Sequence, residues 1–335
     1  METVRVAAVQ AAPVFLDREA TVDKVVGLIE KAAGGGAGLV VFPETFVPTY
    51  PDWVWRTKPW DAHHSALTAR LLDQAVTVPS AATEALGAAA ARHGVWLSIG
   101  VDERDRHSTT LYNSQLLFSA EGALVQCHRK LMPTGGERLV WGMGDGSTVG
   151  VVETPFGLVG TLACWENYMP LARAALYGQG VDIYLAPTWD NSDVWVASMR
   201  HIAKEGRVFV VAVNYCLRGS DVPADVPGRD DLYGGDDDWM SRGNTMIVGP
   251  DGDVLAGPLE GEEGILYADI DATRARVGRL QFDPVGHYGR ADVFRLSVDA
   301  RPRRSVSYSG AAEEPEGAAP SGEPRRGDHG AGVGE

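Results

Sequence analysis

The first 42 residues limit the fold to one that contains parallel strands. Val4 to Gln10 is a short, largely apolar run that predicts a strand. Asp17 then precedes a segment, 22–29, in which apolar residues recur at helical spacing. Three glycines at 34–36 end the predicted helix, and Leu39 to Phe42 is a second apolar run. A short strand–helix–strand connection of this kind places the two strands parallel in one sheet.

The middle of the chain adds antiparallel strands, so the predicted sheet is mixed. A strand at 95–101 is followed by a charged turn at 102–109 and a strand at 111–118. The turn at Glu121-Gly122 then leads into 124–130, which is the pattern of a hairpin. Further helices are predicted at 81–93, 170–178 and 197–206, and further strands at 149–153, 158–163, 181–186, 208–214, 245–248 and 264–270.

Composition excludes several classes of protein. A chain of 335 residues that is 44% apolar and 22% charged can bury a sizeable core in one or two domains. The net charge of −15 argues against nucleic acid or an anionic membrane as a partner. No apolar run approaches the roughly 20 residues that span a bilayer. The cysteines Cys127, Cys164 and Cys216 have no metal-ligand spacing and cannot all pair, so we expect a reduced, cytoplasmic protein.

Two stretches differ in composition from the rest. Residues from Leu217 to Trp239 are polar and rich in Asp and Gly, and the stretch is longer than a usual connection. We expect it to be a functional or interaction loop, or disordered. From residue 300 to 335 the chain has almost no large apolar side chain, so we predict a disordered tail after a domain at 1–299.

Cys164 lies where a predicted strand turns into a helix. The strand ends at Ala163, and the helix begins at Pro170. In α/β proteins such a turn exposes a side chain and offers backbone N–H groups to an anion. A lone cysteine after a buried strand is more often a small core residue. The position alone therefore leaves both interpretations open.

Two further polar residues come directly after predicted strands. Glu44 follows the second strand, and Lys130 ends the strand at 124–130. A thiol has a pKa of roughly 8.5 and needs a base, and His128 is the only histidine expected at this edge. A desolvated carboxylate such as Glu44 can serve as that base. Lys130 and the backbone N–H of Trp165 can stabilise negative charge that develops on the substrate.

Aromatic residues follow the Glu44 segment closely. Tyr50, Trp53, Trp55 and Trp60 lie in a loop that is interrupted by prolines. They form either a loop that packs on the core or the wall of a pocket, and the sequence does not decide between these alternatives.

Three motifs make the sequence resemble the nitrilases, which belong to the carbon–nitrogen hydrolase superfamily. Phe42-Pro43-Glu44-Thr45-Phe46 is similar to the family's glutamate motif, and His128-Arg129-Lys130-Leu131-Met132-Pro133-Thr134 is similar to its lysine motif. Cys164-Trp165-Glu166-Asn167 resembles the cysteine motif of true nitrilases. The resemblance runs from Val4 to about Asp269, and the segments 186–190 and 283–288 also follow the pattern. Arg242-Gly243-Asn244-Thr245 departs from the usual Arg-Gly-Gly-Ser, and we expect a local adjustment there.

The resemblance implies an α/β fold, the four-layer α-β-β-α sandwich of carbon–nitrogen hydrolases. It implies that Cys164 is the nucleophile, Glu44 the general base and Lys130 the residue that stabilises the tetrahedral species. It also implies that Glu137 is the family's second glutamate, which orients the lysine. The residues predicted to contribute to the substrate pocket are Tyr50, Thr134, Trp165 and Trp189. His128 and Glu166 are expected to be structural.

The predicted activity is hydrolysis of a small-molecule nitrile to the carboxylic acid and ammonia, with no metal and no other cofactor. An amidase of the same superfamily is one alternative, and a non-catalytic, filament-forming scaffold is another. The aromatic residues around the motifs favour a nitrile, which is linear and has no N–H group to satisfy. The resemblance further implies a homodimer that builds into a larger homo-oligomer or spiral, with neither nucleic acid nor membrane as a partner.

Overall fold

The computed structural model describes residues 2–235 and 237–303, and its largest elements are two six-stranded mixed sheets. The strands, in chain order, are β1 Val4–Gln10, β2 Leu39–Val41, β3 Trp96–Arg104, β4 Leu111–Phe118, β5 Leu124–Arg129, β6 Val151–Thr154, β7 Gly157–Thr161, β8 Ile183–Pro187, β9 Phe209–Val213, β10 Leu217–Arg218, β11 Trp239–Ser241, β12 Gly243–Val248, β13 Val254–Glu260 and β14 Gly264–Ile270. The α-helices are α1 Arg18–Gly34, α2 Ala62–Gln74, α3 Ala81–His93, α4 Pro170–Tyr177, α5 Asp193–Gly206, α6 Arg229–Leu232 and α7 Ala272–Arg279.

Each large sheet has three parallel strands at its centre and antiparallel strands at its edges. The first sheet has the order β14-β1-β2-β3-β4-β5, and the second has the order β13-β12-β9-β8-β7-β6. Strands β1, β2 and β3 run parallel, as do β7, β8 and β9. The parallel strands that the opening of the sequence predicts are therefore confirmed, with Val6 opposite Leu39.

The two sheets pack face to face, and helices cover their outer faces. Val6 of β1 and Leu39 of β2 share one buried cluster with Ile183 of β8 and Val211 of β9. A second cluster joins the other face of the first sheet to α1 and α3, and a third joins the second sheet to α4 and α5. The predicted four-layer α-β-β-α sandwich is confirmed by this arrangement.

Local details differ from the sequence-based expectations in three places. Strand β3 continues to Arg104, so the turn predicted at 102–109 is shorter, because Asp102 and Glu103 pair with Asn113 and Tyr112 of β4. A 3₁₀ helix, Cys164–Tyr168, separates β7 from α4. Helices α2, α6 and α7 and strands β10, β11 and β13 are not among the predicted elements.

The polar stretch from Leu217 to Trp239 has defined structure in its described residues. It contains β10, α6 and the first residue of β11, and it buries Val222, Val226 and Tyr233. Disorder is therefore the wrong alternative for these residues, because their apolar side chains anchor the stretch. The tail predicted to be disordered lies, from residue 304 onward, outside the described residues. Within the described ranges, no helix has the length and apolar content needed to cross a bilayer.

Candidate active site

Cys164 occupies a turn that its neighbours hold in an unusual backbone conformation. It follows β7 and opens the 3₁₀ helix, with φ of +51°, a left-handed value that non-glycine residues rarely adopt. The side-chain amide of Asn167 donates to the carbonyl oxygens of Leu162 and Cys164, both at 2.8 Å. The residue is only 4% exposed, and its thiol lies close enough to Glu44 and Lys130 for their charges to act on its pKa. The turn therefore presents the sulfur inside the protein rather than at its surface.

Glu44 is fully buried, and three donors hold its carboxylate. Asn113 Nδ2 donates to Oε2 at 2.7 Å, and Lys130 Nζ lies 3.4 Å from the same oxygen. The backbone N–H of Trp189 donates to Oε1 at 2.7 Å. Gly100 allows this close packing, since a Cβ atom there would lie 2.1 Å from the backbone nitrogen of Thr45. The orientation of the carboxylate is therefore fixed by β4, by the end of β5 and by the loop after β8.

Lys130 follows β5 and reaches two carboxylates. Its ammonium lies 2.8 Å from Glu137 Oε2 and 3.4 Å from Glu44 Oε2, and all three side chains are almost completely buried. Glu137 also accepts from the backbone N–H of Thr134 at 2.6 Å and from the hydroxyl of Tyr50 at 2.7 Å. Lys130 therefore lies near Cys164, and the carboxylates of Glu44 and Glu137 balance the charge of its ammonium.

Burial and charge together set the protonation of the site. Burial raises the pKa of Glu44, although the charge of Lys130 acts against that rise. Burial alone would lower the pKa of Lys130, but the surrounding anionic groups outweigh it and raise that pKa. Burial and the charge of Glu44 hold the pKa of Cys164 well above its usual range. The resting site therefore has a protonated thiol and a charged ammonium, with a carboxylate whose proton affinity exceeds that of an ordinary glutamate.

The predicted pocket residues lie at or near this cluster, in different roles. The ring of Tyr50 stacks on that of Trp189 with centroids 4.5 Å apart, and its hydroxyl is bonded to Glu137 and to Trp55 Nε1. Thr134 contacts Glu137 through its backbone. Trp165 is 49% exposed, and its indole N–H donates to Asp190 at 2.9 Å.

The aromatic loop divides between the two alternatives that the sequence left open. Tyr50 belongs to the cluster around Glu137, and Trp55 contacts it. Trp53 is buried in the core, whereas Trp60 is 82% exposed. Only part of this loop can therefore form a pocket wall.

Two residues at the site were missed by the sequence analysis. Asn113 donates to Glu44, and Thr188 lies close enough to Cys164 to act on the pKa of its thiol in the lowering direction. The signal for Asn113 was present, because Asn113, Ser114 and Gln115 are three consecutive polar residues inside a predicted strand. Such residues are buried only when they have partners.

The departure at Asn244 has the expected local adjustment. Asn244 has φ of +76°, which asparagine tolerates better than most residues. Its side-chain amide donates to the carbonyl oxygen of Asn191 at 2.7 Å. Asparagine therefore keeps the left-handed conformation and adds a bond to the loop that carries Trp189.

Comparisons with known proteins agree with this architecture. The family model described as carbon–nitrogen hydrolase matches residues 5–279. The chain is 46% identical to an aliphatic nitrilase of Sinorhizobium fredii, over 91% of this chain and 99% of that protein. It is 41% identical to a bifunctional nitrilase/nitrile hydratase of Lupinus angustifolius, over 92% of this chain and 90% of that protein.

Solved structures of lower identity share the fold. The NitFhit protein of C. elegans matches with a TM-score of 0.71 at 20% identity, covering 90% of this chain and 69% of that one. A carbon–nitrogen hydrolase from Helicobacter pylori matches with a TM-score of 0.68 at 21% identity, covering 87% of this chain and 96% of that one. The family model spans most of the chain, the relatives match along nearly their whole length and the fold agrees, so the chain belongs to the carbon–nitrogen hydrolase family.

Proposed function

We propose that this chain is a nitrilase that hydrolyses an organic nitrile to the carboxylic acid and ammonia. The observation that carries the proposal is the buried trio of Cys164, Glu44 and Lys130, in which a thiol, a carboxylate of raised pKa and an ammonium meet. The relatives that are named nitrilases, at 46% and 41% identity, support a nitrile as the substrate.

In the first step Glu44 takes the proton of the Cys164 thiol as the sulfur adds to the nitrile carbon. The C≡N bond becomes C=N, and negative charge develops on the nitrogen. Lys130 Nζ, which lies 3.4 Å from Glu44, and the backbone N–H of Trp165 are placed to stabilise that charge. The proton held by Glu44 then passes to the nitrogen, and the product is a thioimidate.

Two waters complete the reaction. The first adds to the thioimidate carbon with Glu44 as the base, and the tetrahedral species expels ammonia to leave a thioester. The second water adds to the thioester carbon, and the sulfur leaves as the carboxylic acid is released. Glu137, at 2.8 Å from Lys130, keeps the ammonium in place through both steps.

The choice of nitrile over amide rests on the surroundings of the trio. Tyr50 and Trp189 form a stacked aromatic pair next to Glu44, and Trp165 follows Cys164 directly. An amide would leave N–H groups that cost about 1–3 kcal/mol each if unpaired in a dry site. We expect a specificity constant for the nitrile that is at least about tenfold above that of the matching amide, or about 1.4 kcal/mol.

The test measures ammonia from the nitrile and the amide of one carbon skeleton, with the acid-to-amide product ratio by chromatography. A prior screen of aliphatic, aryl and arylacetonitriles selects the skeleton, and Cys164→Ala protein is the blank. Acid is the expected main product, with amide as a minor product when the adduct loses the thiol before ammonia. Amide turnover equal to or above nitrile turnover would make the chain an amidase, and intact assembly without either activity would favour the scaffold.

We further propose that the protein assembles into a homodimer and larger homo-oligomers. Leu171 at the start of α4 and Val194 at the start of α5 are 68% and 67% exposed, and both helices pack on the same face of the second sheet, so these side chains are available to a partner subunit. Light scattering on Leu171→Lys and Val194→Lys should show a smaller mass than the unchanged protein. Val277→Lys, at another exposed apolar position on α7, is the control. An unchanged mass in both test variants would remove this face from the assembly.

The larger oligomers are expected to depend on the polar stretch from Leu217 to Trp239. Its Asp225 pairs with Arg70 of α2 at 3.0 Å, and its Asp231 lies 3.4 Å from His63. A deletion within the stretch from Leu217 to Trp239 would also remove buried Tyr233, so single charge reversals at Asp225 and Asp231 are the test of this dependence. We also propose a cytoplasmic location, since Cys127, Cys164 and Cys216 are all free thiols, and cell fractionation checks it.

A further inference from the structure

The buried carboxylate of Glu166 joins the two segments that carry Lys130 and Cys164. Its Oε1 accepts from the backbone N–H of Leu131 at 2.6 Å, and its Oε2 accepts from the backbone N–H of Ala163 at 2.7 Å. Leu131 directly follows Lys130, and Ala163 directly precedes Cys164. One side chain therefore ties the end of β5 to the turn after β7.

His128 completes this connection from within β5. Its Nε2 lies 3.1 Å from Glu166 Oε2, and its Nδ1 lies 3.2 Å from both the carbonyl oxygen and the hydroxyl oxygen of Thr148. A carboxylate only accepts hydrogen bonds, so Nε2 is the nitrogen that donates to Glu166. Burial acts to lower the pKa of His128, but the charge and hydrogen bond of Glu166 outweigh it, and the pKa is raised. Glu166 has a lowered pKa because the charge of His128 and the hydrogen bonds it accepts outweigh its burial.

We propose that His128 and Glu166 are positioning residues that set the separation between the ammonium of Lys130 and the sulfur of Cys164. The inference rests on the proposed function and deepens the structural role expected for both residues. Its basis is that the bonds of Glu166 end on the immediate neighbours of the two reacting groups. Cys164 has a left-handed backbone, so its turn depends on such bonds to keep its shape. A misplacement of about 1 Å in an active site can cost on the order of a hundredfold in rate.

The variants distinguish a role of His128 and Glu166 in positioning from the effect of the charge of His128 and from a general loss of protein stability. His128→Leu removes the donor to Glu166, whereas His128→Gln places an amide N–H near the position of Nε2 and removes the charge and the contact of Nδ1 with Thr148. Glu166→Gln leaves one acceptor oxygen for two backbone donors. Arg279→Leu is the control, because it breaks a bond of 2.6 Å to buried Asp182 before β8, at the end of that strand away from Thr188.

Two readouts are measured on each folded variant, together with its melting temperature. The first is kcat and KM for ammonia release. The second is the rate of Cys164 alkylation by iodoacetamide against pH, followed by peptide mass spectrometry. The alkylation rate depends on the charge of Lys130 near the sulfur, since that charge favours the thiolate. A residue that merely filled the core would change the melting temperature without moving this profile.

We expect His128→Leu to lower kcat at least about tenfold with little change in KM, and to slow alkylation at a given pH. His128→Gln should restore most of both, and Glu166→Gln should lose more activity than Arg279→Leu at a similar loss of stability. A folded His128→Leu protein with unchanged kcat, or equal losses in the Leu and Gln variants, would overturn the proposal. If His128→Leu does not fold, the proposal is tested by comparing the activity of Glu166→Gln with that of Arg279→Leu. Equal losses of activity in these two variants would overturn it. If the unchanged protein releases no ammonia from any nitrile, the proposed function fails, and equal alkylation profiles in the unchanged and variant proteins then overturn the positioning role separately.

Discussion

Replacing Asn113 by leucine removes one of the donors that hold the carboxylate of Glu44. The side-chain amide of Asn113 lies 2.7 Å from Glu44 Oε2, and both residues are buried. This bond favours the charged carboxylate and so opposes the rise in pKa that burial causes. A hydrogen bond to a charged group contributes about 1.5–3 kcal/mol, and a tenfold change in proton affinity is about 1.4 kcal/mol. In a plot of kcat/KM against pH, the acidic limb, where activity falls as the pH is lowered, should therefore move by about 1 to 2 pH units.

The direction of that movement is upward. As the proposed base, Glu44 can accept a proton only when it is deprotonated, so activity is expected to be lost as pH falls through its pKa. Without Asn113 the carboxylate is protonated at higher pH, so the limb shifts to higher pH while the plateau above it changes little. Cys164 does not mask the effect, because the pKa of its thiol is raised and the thiol is already protonated across this range.

The assay is the pH dependence of kcat/KM for ammonia release, which reports groups of the free enzyme. Gln115→Leu is the matched control, since it removes a buried amide on the same strand that donates to Ser98 and to the carbonyl oxygen of Phe42 but not to the carboxylate of Glu44. Its limb should coincide with that of the unchanged protein. A limb in Asn113→Leu that stays in place or moves to lower pH would refute the assignment of Glu44 as the base.

Three other predictions concern single residues. Cys164→Ala and Lys130→Met should each abolish ammonia release, and more than trace turnover would contradict the mechanism. The Cys164→Ala protein should keep a melting temperature near that of the unchanged protein. Tyr50→Phe should lower kcat about tenfold with little change in KM, because the lost bond of 2.7 Å orients Glu137; a rise in KM alone would instead make Tyr50 a substrate contact. Asn244→Gly should lower the free energy of unfolding by about 1–2 kcal/mol through the lost bond to Asn191, as measured with urea. Asn244→Ala should be less stable than the glycine variant, because alanine at a positive φ adds about 1–2 kcal/mol, and equal stability would count against that reasoning.

The framework of the site could be predicted from sequence because its parts lie at strand ends. Glu44 and Lys130 follow β2 and β5, and Cys164 lies three residues beyond β7. The structure brings these three side chains together, and their chemical roles remain predictions. The consecutive polar residues at 113–115 indicate that Asn113 has a buried partner, but the identity of that partner depends on the register between β3, β4 and β5, which no local pattern specifies.

The turn predicted at 102–109 is wrong in part because its first charged residues are buried by partners that are distant in the chain. Asp102 and Glu103 suggested a turn, yet both lie inside β3. Asp102 accepts from Trp141 Nε1 at 2.7 Å, and Glu103 accepts from Arg129 at 2.6 and 2.9 Å. These partners are 26 to 39 positions away in the chain, so no local sequence pattern indicates them. The buried anchors of the stretch after β10 were hidden in the same way, by a polar composition around a few apolar side chains.

The hydrogen bond from Trp189 to Glu44 bears on how easily this protein can be re-engineered. The donor is the main-chain N–H, so it persists whatever side chain stands at position 189, proline excepted. The indole ring, by contrast, stacks on Tyr50. A library at position 189 can therefore vary the volume and polarity beside the trio while the base keeps this contact. In the proposed mechanism, substitutions at position 189 would therefore change the surroundings of the substrate without removing the hydrogen bond to the proposed base, which makes this position a suitable start for directed evolution.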